Sequence, residues 1–423
     1  MVIQLGHDRK SKEPINIDLD NIISGHFIVF GGSGVGKSYT LRSLAQAFSK
    51  ARKEVVIFDV HGDLLPNHPD VSSVRISQES NVGLQPFKIN LDPEFGGVIN
   101  AIKSFVYSID SAKKLGTRQE SVLRKLLEDL FAKNGFYADN PQSWRLDWDN
   151  WPGRPHKKRY PTFEDLIRFA KSKQREIFLG KNAQSLSKMN TFIKKSHAVK
   201  KKKMHGEIVD ESELERLKDE AVNAYIEFLD SNTEEKTVED VLRYTSLEVI
   251  ASVIERLESI YYSGVFKSGE IIFDPSKRIH RYDLSTLPTA DQKLFVNLVL
   301  KDEFIKAKEF GFGGKLRRFI LLDESKEFLK EDDDNMLIRM ILEVRKYGVG
   351  MLLGAQNITH FPDDVITNVG TKLVLGVDSN YLTAFSKKLQ VSVDVLKRII
   401  PQKSFLMEIK EKGKQSKTIE VVI

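Results

Sequence analysis

Gly31-Gly32-Ser33-Gly34-Val35-Gly36-Lys37-Ser38, followed by Tyr39, is the stretch whose residue types and spacing most directly specify chemistry. Gly31, Gly36, Lys37 and Ser38 fit G-x-x-x-x-G-K-[ST], the pattern of a phosphate cradle. Its glycines let backbone N–H groups close around phosphate oxygens, and the helix that follows presents the positive end of its dipole. Lys37 would reach the β- and γ-phosphates, and the Ser38 hydroxyl would ligate Mg²⁺. The expected contacts to a bound nucleoside triphosphate are therefore Gly31, Gly32, Ser33, Gly34, Val35, Gly36, Lys37, Ser38 and Tyr39.

Hydrolysis needs more than a cradle, and a second run supplies it. Arg318-Phe319-Ile320-Leu321-Leu322 reads as a buried strand ending in Asp323-Glu324. Asp323 would hold Mg²⁺ through water, and Glu324 would orient or deprotonate the attacking water. Gly354-Ala355-Gln356 closes another apolar run and puts the Gln356 amide at a strand's carboxyl end, where it could sense the γ-phosphate. Glu54 to Asp59 ends likewise in Asp59-Val60-His61-Gly62-Asp63, so Asp59, His61 and Asp63 are expected near the nucleotide. No Asn-Lys-x-Asp guanine-reading motif is present, which disfavours a GTPase switch. The Asp-Glu pair with Gln356 points to hydrolysis rather than small-molecule phosphorylation.

These residues need a sheet to hold them at one edge. Short apolar runs at Val2 to Leu5, Ile15 to Asp18, Phe27 to Phe30, Glu54 to Asp59, Glu270 to Phe273, His280 to Leu284, Arg318 to Leu322, Val349 to Ala355, Thr371 to Val377, Ser404 to Ile409 and Thr418 to Ile423 read as strands. Helical patterns lie between many of them, with Leu41, Leu44, Ala45 and Phe48 following the cradle. The expected fold is α/β, a RecA-like doubly wound, mostly parallel sheet. From about residue 100 the pattern turns helical. Thr117 and Glu120 form a T-x-x-E helix start before Val122, Leu123, Leu126, Leu127, Leu130 and Phe131. We expect the core over 1–100 and 269–423, interrupted by a mainly helical insertion over 101–268.

Composition narrows the setting. The 423 residues are 41% hydrophobic and 29% charged, the balance of a water-soluble globular chain. No apolar run is long enough to span a bilayer, and the N-terminus lacks a signal-peptide pattern, so no membrane partner and a cytoplasmic location are expected. The absence of cysteine excludes disulfides and thiolate metal sites. A net charge of +6 leans toward a polyanionic partner. Lys188, Lys194, Lys195 and Lys200 to Lys203 make the most basic segment, either a solvated face or a phosphate contact.

In this order, the motifs resemble the HerA branch of the HerA–FtsK P-loop ATPases. His26 with the cradle, Asp59 to Asp63, Leu84-Gln85-Pro86-Phe87, Arg256-Leu257 with Gly264-Val265-Phe266, Leu321 to Glu324, Arg345 to Gly350 and Gly354 to Gln356 carry the resemblance. It implies a ring-forming, usually hexameric motor that uses ATP and Mg²⁺ to translocate or remodel double-stranded DNA with a nuclease or effector partner. It also implies that Lys37 and Ser38 bind nucleotide and Mg²⁺, that Asp59 sits beside the site, that Glu324 is the catalytic base and that Gln356 is the sensor. Arg345, in Arg345-Lys346-Tyr347-Gly348, becomes the arginine finger given to a neighbouring subunit, with Arg339 its nearest competitor. Relatives in DNA packaging and conjugation share the core, and an ATP-gated scaffold of a defence complex is a further alternative. Two features depart from the family. The chain starts almost directly at the ATPase core rather than with a nuclease-docking β-barrel, and Asp-Glu-Ala-His is replaced by Asp323-Glu324-Ser325-Lys326.

Overall fold

The computed structural model describes residues 2–92, 96–148, 158–179, 191–199, 212–231, 247–313, 315–329 and 335–423. Lys188 and the Lys200 to Lys203 run lie outside these residues. The chain divides into two compact units, Met1–Leu84 with Ser263–Ile423, and Gln85–Tyr262. Residues 85–100, assigned to the core from sequence, thus belong to the second unit, and 263–268 to the first.

The first unit is built on an 11-stranded sheet of order β2-β1-β11-β10-β9-β3-β8-β7-β4-β6-β5. Its strands are β1 Val2–Asp8, β2 Pro14–Asp18, β3 Phe27–Phe30, β4 Glu54–Asp59, β5 Val71–Arg75, β6 Ile279–Asp283, β7 Arg318–Leu322, β8 Val349–Ala355, β9 Thr371–Val374, β10 Ser404–Ile409 and β11 Lys417–Val422. From β9 to β5 every pairing is parallel, and from β9 outward through β10, β11, β1 and β2 every pairing is antiparallel. Both faces of a central parallel strand are covered, so such strands read as unbroken apolar runs. Accordingly, β3 and β8 are apolar and buried throughout, whereas β9, Thr-Lys-Leu-Val, is buried with its Lys372 paired to Glu408 at 2.9 Å.

The sequence misplaces one strand. Glu270 to Phe273, expected to be one, forms no ladder: Gly269 makes a single bridge to Val82, and the Phe273 ring stacks on His280 at 4.6 Å. The reason is occupancy, because β6 is already flanked by β4 and by β5. The edge strand β5, Val-Ser-Ser-Val-Arg, has too little apolar alternation to announce itself.

Helix α1 (Lys37–Lys50) buries the expected Leu41, Leu44, Ala45 and Phe48. Phe48 stacks on Phe319 of β7 with ring centroids 3.8 Å apart, and packs on Phe27 of β3 at 5.3 Å. The helix that leaves the cradle is thereby fixed to the two strands that carry the cradle and the acidic pair.

In the second unit lie α2 (Gly97–Ala112), α3 (Thr117–Lys133), α4 (Phe163–Leu179), α5 (Ser212–Ser231) and α6 (Leu247–Ser263). Helix α3 buries the predicted apolar face, but its start differs from the T-x-x-E reading. Gly116 is the N-cap, its N–H donating to Gln119 Oε1 at 3.0 Å, while Glu120 pairs with Arg124 at 2.7 Å. Thr117 lies one residue inside the helix, which shifts the box by one position. Among the described residues no helix is long and apolar enough to cross a membrane.

His26, immediately before β3, is wholly buried and accepts a hydrogen bond at Nδ1 from the Met351 N–H of β8, at 3.0 Å. Burial, reinforced by the Arg345 charge, pushes its pKa down to about 4. The unfolded chain therefore takes up the proton first, and the contribution of neutral His26 is lost as pH falls from about 6.5 toward 4. Over that window the loss should reach on the order of 3 kcal/mol. Urea unfolding from pH 7 to pH 4 should show a smaller decline in a His26→Asn protein than in the wild type. Equal slopes would contradict the assignment.

Candidate active site: the turn between the third strand and the first helix

β3 delivers the chain into the glycine loop, and α1 begins at Lys37 with Gly36 as its N-cap. Gly36 has φ of 101°, a left-handed conformation that a side chain would strain. Gly31 is required for another reason: a Cβ there would lie 2.4 Å from Val35 Cγ2. The loop closes over its own valine, and its first N–H, that of Gly31, donates to the Ala355 carbonyl of β8 at 3.0 Å.

A cavity of about 330 Å³ opens over this turn, lined by Gly32, Ser33, Gly34, Gly36, Lys37, Ser38, Tyr39, Arg42, Glu324, Gln356 and Gln402. Most of the predicted contacts are among them. Gly31 and Val35 are not: they form the underside of the loop, with Val35 packed between Gly31 and Gly376. Tyr39 is at the rim and 67% exposed.

β7 and β8 bring the acidic pair and the amide to the same edge. Lys37 Nζ lies 2.6 Å from Glu324 Oε1 and 3.5 Å from Asp323 Oδ1. Gln356 Nε2 donates to Glu324 Oε2 at 3.4 Å. Glu324 itself has φ of 48°, a left-handed conformation costly for a residue with a side chain, of the kind that persists where the surroundings enforce it. Its N–H donates to Asp323 Oδ1 at 2.8 Å. Gly354 of β8 admits Asp323 edge-on, since a Cβ there would stand 2.2 Å from Asp323 Oδ1.

Ser38 Oγ and Asp323 Oδ2 approach to 3.4 Å. Burial pushes the Asp323 carboxyl above its ordinary pKa, against the opposing pull of Lys37. A hydroxyl and one carboxylate are the hard oxygen donors that Mg²⁺ takes when phosphates and water complete its shell. The described residues contain no cluster of three or more His, Cys, Asp or Glu able to hold a metal by themselves.

Asp59 does not line the cavity. It is completely buried, pairs with Arg281 of β6 at 2.7 and 2.8 Å, and accepts backbone hydrogen bonds from His61, Gly62 and Leu64. With both oxygens engaged, it anchors the turn after β4 and has no lone pair free for a reacting group. Removing one member of such a buried pair typically costs about 3–5 kcal/mol. His61 and Asp63 are exposed and outside the cavity lining.

Arg345 is exposed and precedes β8, whereas Gln356 follows it. The seven residues of β8 separate the two by on the order of 20 Å. Arg339 is engaged nearby, 3.5 Å from Glu343 and with its guanidinium over the Phe304 ring at 5.1 Å.

Sequence reasoning missed Arg42 and Gln402. Arg42 lies one helical turn after Ser38, whose carbonyl it bonds at 3.2 Å, so helix spacing alone could have found it. Gln402 had no such signal: its Nε2 donates to the Gly34 carbonyl at 2.9 Å across 368 residues of chain.

Comparison with known proteins agrees with this geometry. The family model described as Helicase HerA, central domain, matches residues 3–229. No curated protein matches the chain in sequence. Among solved structures, VirB4 of Thermoanaerobacter pseudethanolicus aligns over 100% of this chain and 96% of its own, with a TM-score of 0.64 and 16% identity. The bacterial conjugative coupling protein TrwBdeltaN70 aligns over 99% and 88%, with a TM-score of 0.52 and 12% identity. Plasmid coupling protein TrwB in complex with ADP and Mg²⁺ aligns over 99% and 89%, with a TM-score of 0.51 and 13% identity. These likenesses show a shared fold. From the matched half of its sequence, the chain belongs to the family of the HerA helicase central domain and is a P-loop ATPase of the HerA type.

Proposed function

We propose that this ATPase works as a hexameric ring that translocates or remodels double-stranded DNA in the cytoplasm, with a nuclease or effector as its partner. The observation that carries the reading is the meeting of Lys37, Glu324 and Gln356 in one cavity above the glycine loop. Lys37 and Glu324 neutralise each other across 2.6 Å. Turning Lys37 toward the β- and γ-phosphates would release Glu324 to accept a proton from the attacking water, while the Gln356 amide orients Glu324 and reports on the γ-phosphate. Mg²⁺ at Ser38 and Asp323 would neutralise charge on the phosphates. In this scheme Asp59 is a positioning residue that fixes the turn after β4.

Arg345 is the proposed finger, and its position favours supply to a neighbour. It lies at the edge of the parallel sheet opposite its own cavity, beyond the reach of one side chain. Phe312, 76% exposed, and the exposed Lys346 share that edge, the Phe312 ring resting 5.2 Å from the buried Tyr347, a surface suited to docking a second subunit. We further propose that residues 85–262 are an insertion into the ATPase core, following the division of the chain into two units.

A conjugation or packaging motor is the second reading, favoured by the full-length likeness to VirB4 and TrwB. Both readings require hydrolysis that rises with assembly and with DNA, and ATPase assays over a range of protein concentrations, with and without double-stranded DNA, test that requirement.

A further inference from the structure

The γ-phosphate end of the cavity is marked by Lys37, Glu324 and Gln356, the last two at the ends of β7 and β8. In the sheet order, β8 and β7 lie on one side of β3, while β9 and β10 lie on the other. β10 runs antiparallel to β9, so the turn leading into it, Ile400 to Lys403, is at the same carboxyl edge as the glycine loop. A triphosphate laid along the loop with its γ end at Glu324 must carry its sugar and base toward that opposite flank.

The side chain presented on that flank is Gln402. Its turn is held by the Ser404 N–H donating to the Ile400 carbonyl at 2.8 Å, by the Ile400 N–H donating to Ser404 Oγ at 2.9 Å, and by the Ile423 N–H donating to the Lys403 carbonyl at 3.0 Å. Gln402 occupies the left-handed region at φ 63°, an unfavourable conformation for a residue with a side chain. Its amide nitrogen is taken by the Gly34 carbonyl, and its Cγ would lie 3.8 Å from a Cβ on Gly36. One of the two amide N–H donors is used on the loop, and the amide oxygen is left as an acceptor for a group on the ligand.

We propose that Gln402 is a specificity-determining residue for the nucleoside half of the bound nucleotide. Its amide oxygen accepts from a ribose hydroxyl or from the exocyclic amino group of the base, while its amide nitrogen stays on Gly34. This rests on the reading of the cavity as a nucleoside triphosphate site.

Competition binding on the full chain tests it, with ATP, 2′-deoxy-ATP, inosine triphosphate and inorganic tripolyphosphate in the presence of Mg²⁺. One hydrogen bond is worth up to about tenfold in affinity. Gln402→Met, close to isosteric, should lower the ratio of ATP affinity to tripolyphosphate affinity by about 3- to 10-fold. If the ribose supplies the donor, 2′-deoxy-ATP is the ligand whose affinity the substitution leaves unchanged. If the base supplies it, inosine triphosphate is that ligand. A ratio equal to that of the wild type would overturn the proposal, leaving Gln402 as a prop for Gly34 alone. Failure of the wild type to bind ATP would instead overturn the reading of the cavity, and the proposal with it.

Discussion

Replacing Glu324 by Gln is expected to lower the rate of ATP hydrolysis by about 10²- to 10⁴-fold, the range for losing a positioned general base. The nucleotide should still bind, and at least as tightly. Lys37 is paired with Glu324 at 2.6 Å, so a phosphate must compete with that carboxylate for the ammonium. The amide of Gln removes the competing charge while keeping the shape and an acceptor for Gln356. Steady-state hydrolysis together with equilibrium titration of an ATP analogue reads both effects. A Glu324→Gln protein turning over within a few-fold of the wild type would remove Glu324 from the chemistry. A large fall in affinity at unchanged turnover would recast it as a binding residue.

The second large effect concerns Arg345. A finger contributes about 10³- to 10⁵-fold to phosphoryl transfer, so Arg345→Ala should be nearly inactive although its own cavity is intact. Because Arg345 and Gln356 are at opposite ends of β8, the defect should be repairable from outside. In a mixture with Glu324→Gln protein, an Arg345→Ala subunit keeps its base and can receive the finger of a neighbour that has lost its own. At equal mixing, roughly a quarter of the sites in a ring assembled at random would regain both parts. Activity well above either variant alone is the expected outcome. A mixture that assembles and stays inactive would mean that Arg345 does not act across subunits.

What was legible in the sequence, and what was not, follows from how far apart interacting residues lie. The cradle, the helix after it and the strand ending in Asp323-Glu324 are local patterns, and each appears where its spacing predicts. The central parallel strands were visible because burial on both faces leaves no alternation to misread. β5 escaped because an edge strand does not need an apolar sequence, and Glu270 to Phe273 was misread because pattern alone does not say that the edge of β6 is taken. Asp59 carried the right residue type at the right strand end, yet Arg281, more than two hundred residues away, uses the carboxylate for structure. Gln402 is the converse case, a residue with no motif around it that a fold brings onto the loop.

A ring motor is tested most simply by ATP hydrolysis per subunit as a function of protein concentration, with and without double-stranded DNA, using Glu324→Gln as the blank. A ring with its finger in trans predicts a rate per subunit that climbs with concentration as subunits assemble, and that rises again when DNA is added. A rate per subunit that is independent of concentration and unchanged by DNA would contradict a DNA motor assembled in this way.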